Sequence, residues 1–93
     1  NDVVTLDADK VQFPLTIRHA QTGDKFFPFG MKGSKLISDY LTDLKLNCFE
    51  KQSQLIIVDA AGKVIYIVGK RVDDRCRISQ DTANILRIKY HKE

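Results

Sequence analysis

The sequence predicts a small α+β domain: a β-rich, sandwich-like sheet with one main helix near residues 34–45. Three observations carry that expectation. Two runs rich in Ile and Val, residues 55–59 and 63–69, flank the tight connector Ala60-Ala61-Gly62 and read as a β-hairpin. Leu36, Ile37, Tyr40, Leu41 and Leu44 recur at helical spacing, with Ser38, Asp39, Thr42 and Asp43 opposite them. Short β-type stretches stand at both ends, Val3-Val4-Thr5-Leu6 and Ile85-Leu86-Arg87-Ile88-Lys89-Tyr90.

After the first stretch, Leu15-Thr16-Ile17-Arg18 alternates apolar and polar residues and predicts a strand with one wet face. Thr22-Gly23-Asp24 signals a turn. Residues 26–33, Phe-Phe-Pro-Phe-Gly-Met-Lys-Gly, are too rich in Gly and Pro for regular structure and predict an ordered loop whose rings plug the core. Ser34 is the expected N-cap of the main helix, which should end near Lys45. Asn47-Cys48-Phe49-Glu50 has capping-box spacing and predicts one further helical turn. Beyond the hairpin a strand resumes at Val72, and Asp73-Asp74-Arg75 reads as a solvated turn or bulge. In the last strand Ile85 and Ile88 lie on different phases, which a bulge would reconcile.

A chain of 93 residues makes one domain with one modest core and no room for a second. An apolar fraction of 43% and a charged fraction of 29% argue against disorder. The longest apolar runs, residues 55–58 and 64–68, fall far short of the ~20 residues that cross a bilayer, so no membrane is expected. With no Met at position 1 and no signal-peptide pattern, the chain reads as a domain cut from a longer cytoplasmic protein. Cys48 and Cys76 suit two reduced thiols, a single bridge between them being the alternative. His19 and His91 lack Cys or carboxylate neighbours at ligand spacing, so no metal site is expected.

The net charge of +3 is mild but unevenly placed. Residues 1–24 set Lys10 and Arg18 against Asp2, Asp7, Asp9 and Asp24, so the positive excess belongs to the remainder. Such an excess steers phosphates and is also common in proteins that never meet nucleic acid. Catalytic patterns are lacking: no serine sits in GxSxG, and Gly30-Met31-Lys32-Gly33-Ser34-Lys35 departs from the Walker spacing, so it is no ATP site. A glycine-rich loop entering a helix still offers N–H groups to an anion, with Lys32 and Lys35 flanking it and Lys25 near in sequence. The plainer account is a turn glycine, a capping serine and solvated lysines, and spacing alone favours it. Lys70-Arg71, followed by Arg75 and Arg77, form a second basic group, either a phosphate-tracking stripe or a charged face that discourages edge pairing. Phe26, Phe27 and Phe29 suit core packing better than base stacking.

The order of these motifs resembles the C-terminal domain of bacterial tRNA(Ile)-lysidine synthetases. The resemblance runs through Leu15–Arg18, Gly23-Asp24-Lys25-Phe26, Pro28–Leu36, Ser38-Asp39-Tyr40-Leu41, Phe49-Glu50-Lys51, Val68-Gly69 and Arg71-Val72-Asp73-Asp74-Arg75. The wording of residues 28–35 is most similar to Bacteroidetes-type members. The resemblance implies a parent ligase that uses ATP, with magnesium, to adenylylate the wobble cytidine of a minor tRNA(Ile) and then attaches L-lysine, forming lysidine. It implies also that the PP-loop catalytic domain is not present in this chain, and no cofactor is expected here. By the same resemblance, the C-terminal domain has a β-rich fold shared with a tRNA-synthetase subunit and engages tRNA. The partners so implied are tRNA(Ile) and the catalytic domain of the same chain, with a homodimer as a further option. The alternative role is a structural module for docking or dimerisation without tRNA affinity of its own.

Carried over by position, the RNA-binding candidates are Arg18, Lys25, Lys32, Lys35 and Arg71, and Arg75 joins them from the basic stripe. Two departures weaken the pattern. Ile37-Ser38-Asp39 stands where many members have further lysines, and Lys51 stands where Arg is commoner, losing a bidentate fork.

Overall fold

The computed structural model describes residues 2–91. In chain order the elements are β1 (Asp2–Asp7), β2 (Thr16–His19), β3 (Lys25–Phe26), β4 (Lys35–Leu36), α1 (Ile37–Asp43), α2 (Cys48–Ser53), β5 (Leu55–Val58), β6 (Val64–Ile67), β7 (Arg71–Val72) and β8 (Ile85–Tyr90). Short 3-10 turns occupy Ala8–Lys10 and Asp74–Cys76. All strand pairing is antiparallel, in three units. The four-stranded sheet has the order β2-β5-β6-β7, β1 pairs with β8, and β3 with β4 forms a two-stranded ribbon. The α+β class, sheet-dominated with a main helix, is the one expected from the sequence.

The hairpin β5–β6 sits at the centre and is buried on both faces. Ile56, Val58, Val64 and Ile67 pack with Phe26, Ile37, Tyr40 and Leu41 on one side. Ile57, Ile65 and Tyr66 pack with Leu6, Val11 and Cys76 on the other. The domain thus has two hydrophobic clusters where length alone suggested one. A central strand pair covered on both faces can serve two clusters with the same few residues, and this requires uninterrupted apolar runs. A register shift between Ile57 and Val58 places Ile65 as the extra residue of β6, so the two strands stay in step on both faces.

The main helix starts later than expected and is short. Ser34 is not its cap: Lys35–Leu36 pair with Lys25–Phe26, and Leu36 is the capping residue, without a side-chain bond. The Ile37 N–H donates to Asp24 O at 2.9 Å, so strand pairing and a turn carbonyl take up the backbone that a cap would have served. At its other end the chain leaves through Lys45 at φ 68°. There Lys45 N–H donates to Thr42 O and Leu46 N–H to Leu41 O, a Schellman closure with lysine in the left-handed position. The second turn is as the spacing predicts, since α2 carries a complete capping box between Asn47 and Glu50.

Other expectations are corrected. Asp73 is wholly buried rather than solvated, because it anchors the aromatic loop. β8 pairs with β1 without a bulge, from Asp2 opposite Tyr90 to Asp7 opposite Ile85. Its even-numbered residues face inward, which leaves Ile85 exposed. Of the aromatic loop, Phe26 alone of the three phenylalanines fills the core, meeting Tyr40 edge-on with ring centroids 5.1 Å apart. Phe29 is exposed and Phe27 half-buried. Edge strand β2 also has Thr16 and Ile17 both exposed, so its wet and dry faces are not cleanly divided.

Candidate nucleic-acid interface

The basic residues named from the sequence fall into distinct environments. Arg18 on β2 makes a two-pronged contact with Asp24, Nη1 to Oδ2 and Nη2 to Oδ1, each 2.9 Å long. That bond, ahead of its partial burial, holds the Asp24 carboxyl below the ordinary range and raises the Arg18 guanidinium. Lys35 on β4 pairs with Asp43 at the end of α1. Arg71 on β7 lies over the Tyr40 ring, 6.0 Å from its centroid, and donates to Phe29 O at 3.4 Å. Lys32 is exposed in the loop, and neither it nor Lys25 makes a side-chain hydrogen bond or ion pair among the described residues. Arg71, Arg75 and Arg77 do not share one strand face, as either account of them required, because Asp74–Cys76 form a 3-10 turn and strand alternation stops at Val72. Arg77 instead reaches Asp74 at 3.7 Å.

Lys25 and Arg75 meet at one open groove of about 670 Å³, rimmed also by Phe27, Ser34, Gly62, Lys63 and one acid, Asp24, which is paired with Arg18. Lys63 was not among the sequence candidates. It follows the hairpin connector, and only the fold of β5 and β6 carries that connector beside β3. Its ammonium donates to Lys10 O at 2.6 Å and stands 4.0 Å from Asp59. Burial of Asp59 would raise its carboxyl, but N–H donors from Gln12, Lys63 and Ala61, with the Lys63 charge, outweigh this and hold it low. The loop-to-helix anion site suggested by residues 30–35 does not form, since the loop feeds a strand.

Asp73 organises this wall. Its carboxylate accepts from Phe27 N–H at 2.9 Å and from Arg75 N–H at 2.8 Å. It also takes both prongs of the Arg75 side chain, Nε at 2.9 Å and Nη2 at 3.0 Å. The guanidinium is thereby laid over the Phe27 ring, 4.3 Å from its centroid. Pairing with Asp73 raises Arg75 further, so it stays charged throughout. On another surface Phe29 and Ile78, both exposed, line a smaller groove with Val4, Val72 and Arg77. Among the described residues, no group of three or more His, Cys, Asp or Glu is placed to hold a metal. Nor, among them, is any helix long and apolar enough to cross a membrane.

Fold and groove together define a small antiparallel β-module with a lysine- and arginine-walled cleft. No protein-family model matches the chain. It is 40% identical over 88 residues to the tRNA(Ile)-lysidine synthase of Parabacteroides distasonis and 38% over 85 to that of Bacteroides thetaiotaomicron. The identity to the Bacillus subtilis tRNA(Ile)-lysidine synthase is 35% over 95 aligned positions. These alignments cover 95%, 91% and 100% of this chain but 20% of each relative. The crystal structure of a TILS C-terminal domain superposes with a TM-score of 0.78 at 22% identity, covering 94% of this chain and 66% of that one. An N-terminal fragment of the Pyrococcus horikoshii phenylalanyl-tRNA synthetase β-subunit superposes with a TM-score of 0.77 at 22% identity, covering 91% of this chain and 26% of that one. The chain belongs to the family of tRNA(Ile)-lysidine synthase C-terminal domains. It spans about 20% of the length of the curated relatives it matches.

Proposed function

We propose that this domain binds and positions tRNA(Ile) for a tRNA(Ile)-lysidine synthase, a cytoplasmic ligase that converts the wobble cytidine to lysidine at the expense of ATP. The observation that carries the reading is the groove between β3 and the hairpin turn, where Lys25, Lys63 and Arg75 converge on a domain of this family. Phosphate and sugar contacts suit such a wall, because an A-form stem is read mainly by backbone and shape. Lys25 and Lys32, free of internal acids among the described residues, are the best placed for phosphates. Arg18, Lys35 and Arg71 contribute less, since each is engaged within the domain and none of them lines the groove.

ATP, magnesium and lysine fall to the catalytic domain of the parent chain. What supports this division is that residues 30–35 lead into β4 rather than a helix, and that among the described residues no group of three or more His, Cys, Asp or Glu is placed for a metal. A second reading rests on the exposed Phe29 and Ile78 beside Val72 and Val4, an apolar surface suited to docking on the catalytic domain or on a second copy.

A salt titration of this 93-residue chain against tRNA(Ile), with another tRNA as control, separates the two. Binding that weakens steeply with salt is the expected result. Absence of binding at low salt would assign the domain to docking.

A further inference from the structure

We infer that the outer face of the Arg75 guanidinium is a stacking platform for one unpaired nucleobase of the bound RNA. The inference rests on the reading that this groove engages RNA, and it names what part of the RNA the groove selects. An arginine that serves a phosphate does so with the edge of its fork and with its charge. In Arg75 the Nε/Nη2 edge is already taken by Asp73, and that buried carboxylate neutralises the charge. The inner face is taken as well, lying on the Phe27 ring at 4.3 Å. What remains is the outer face, with the Nη1 edge beside it, and the side chain keeps 41% of its surface exposed at the groove wall.

A guanidinium held flat by an ion pair and backed by an aromatic ring is a rigid plane, and planes of that kind stack on bases. Little rotamer freedom is lost on binding, because three contacts already fix the side chain. Lys25 and Lys63 line the same groove, where the phosphates flanking a splayed nucleotide would run. A base paired inside a duplex shows no free face, so the platform favours a nucleotide at a strand end or a bulge.

The test is fluorescence anisotropy of the chain with three RNA probes that share one stem: a blunt end, a single-stranded adenosine overhang, and the same overhang with abasic sugars. The abasic probe keeps the phosphates and removes only the rings. The expected result is at least about fivefold tighter binding of the adenosine overhang than of the abasic one, as one stacked base provides. In R75K and in F27L that ratio should fall to near one, with thermal melting used to confirm that each variant is folded. Equal affinity for adenosine and abasic overhangs in the unaltered protein, with the stem still bound, would overturn the platform while leaving the RNA reading intact. That comparison needs no variant. Failure to bind any of the three probes would overturn the RNA reading itself, and the platform with it.

Discussion

Arg18 and Asp24 are clamped together by two parallel 2.9 Å hydrogen bonds, and the same carboxylate caps the turn by accepting from Gln21 N–H at 2.7 Å. The pair ties β2 to the segment that leads into the groove. Arg18 therefore acts on the shape of the domain, and Lys25, one residue beyond Asp24, is left with its charge free among the described residues. The expected contrast is sharp. R18A should lower stability by about 1 kcal/mol, the value of a partly exposed bidentate pair, and barely change the salt dependence of tRNA binding. K25A should leave stability nearly unchanged and reduce the slope of log affinity against log salt by about 0.7–0.9. K63A should flatten the slope similarly and also lower stability, because it removes the donor to Lys10 O and the charge beside Asp59. Urea unfolding and salt titration of the three variants read both effects.

Acid should destabilise the domain through Asp24 and Asp59. Both carboxyls are held low in the folded state, Asp24 chiefly by Arg18 and Asp59 by backbone donors that overcome its burial. The unfolded chain thus binds protons more readily, and stability rises with pH in that range. Their contribution is fully present above the ordinary carboxylate value of about 4 and is lost as pH falls through the lower folded values. Urea midpoints measured from about pH 6 down to about pH 2.5 should fall steeply at the acid end. A flat profile would contradict this.

Asp73 is expected to be among the least replaceable polar residues. D73A removes the acceptor of two backbone N–H groups and leaves the Arg75 charge without its buried partner. A loss of about 3 kcal/mol is expected, which in a domain of this size lowers Tm by roughly 10–20 °C. D73N, which keeps one acceptor oxygen, should lose less. Calorimetry of the two variants gives the order.

Lys45 holds the left-handed position of the α1 Schellman closure, at φ 68°. A side chain there costs about 1–2 kcal/mol relative to glycine, partly offset by the extra freedom glycine has when unfolded. K45G should therefore stabilise the domain by about 0.5–1 kcal/mol, whereas K45A should have almost no effect. Equal midpoints for K45G and the parent would argue against this closure.

The two thiols should react on different timescales. Cys48 is exposed at the start of α2, whereas Cys76 is buried, and burial pushes its thiol pKa up. A thiol reagent at neutral pH should modify Cys48 at once and Cys76 only when the domain opens. Two equally fast thiols would contradict the burial of Cys76.

Much was determined by the sequence itself wherever the signal is local. The hairpin at residues 55–69 needs only two apolar runs and a glycine-bearing connector, and the α2 capping box needs only Asn47 and Glu50 three residues apart. The motif order sufficed for the family, because order and spacing survive in the chain itself. What only the tertiary structure decided involves residues far apart in sequence. Lys35 and Leu36 carry helical spacing, yet pairing with Lys25 and Phe26 makes them a strand. Asp73 looks like a turn residue until Phe27, 46 positions earlier, supplies the N–H that keeps it buried. The groove was legible only in part for the same reason. Lys25 and Arg75 stand out as basic residues, but ion pairing separates the neutralised Arg18 and Arg75 from Lys25, and only folding brings Lys63 to the same wall. Charge is a property of the sequence; which charges are cancelled is decided by distances of a few ångströms that no spacing along the chain encodes.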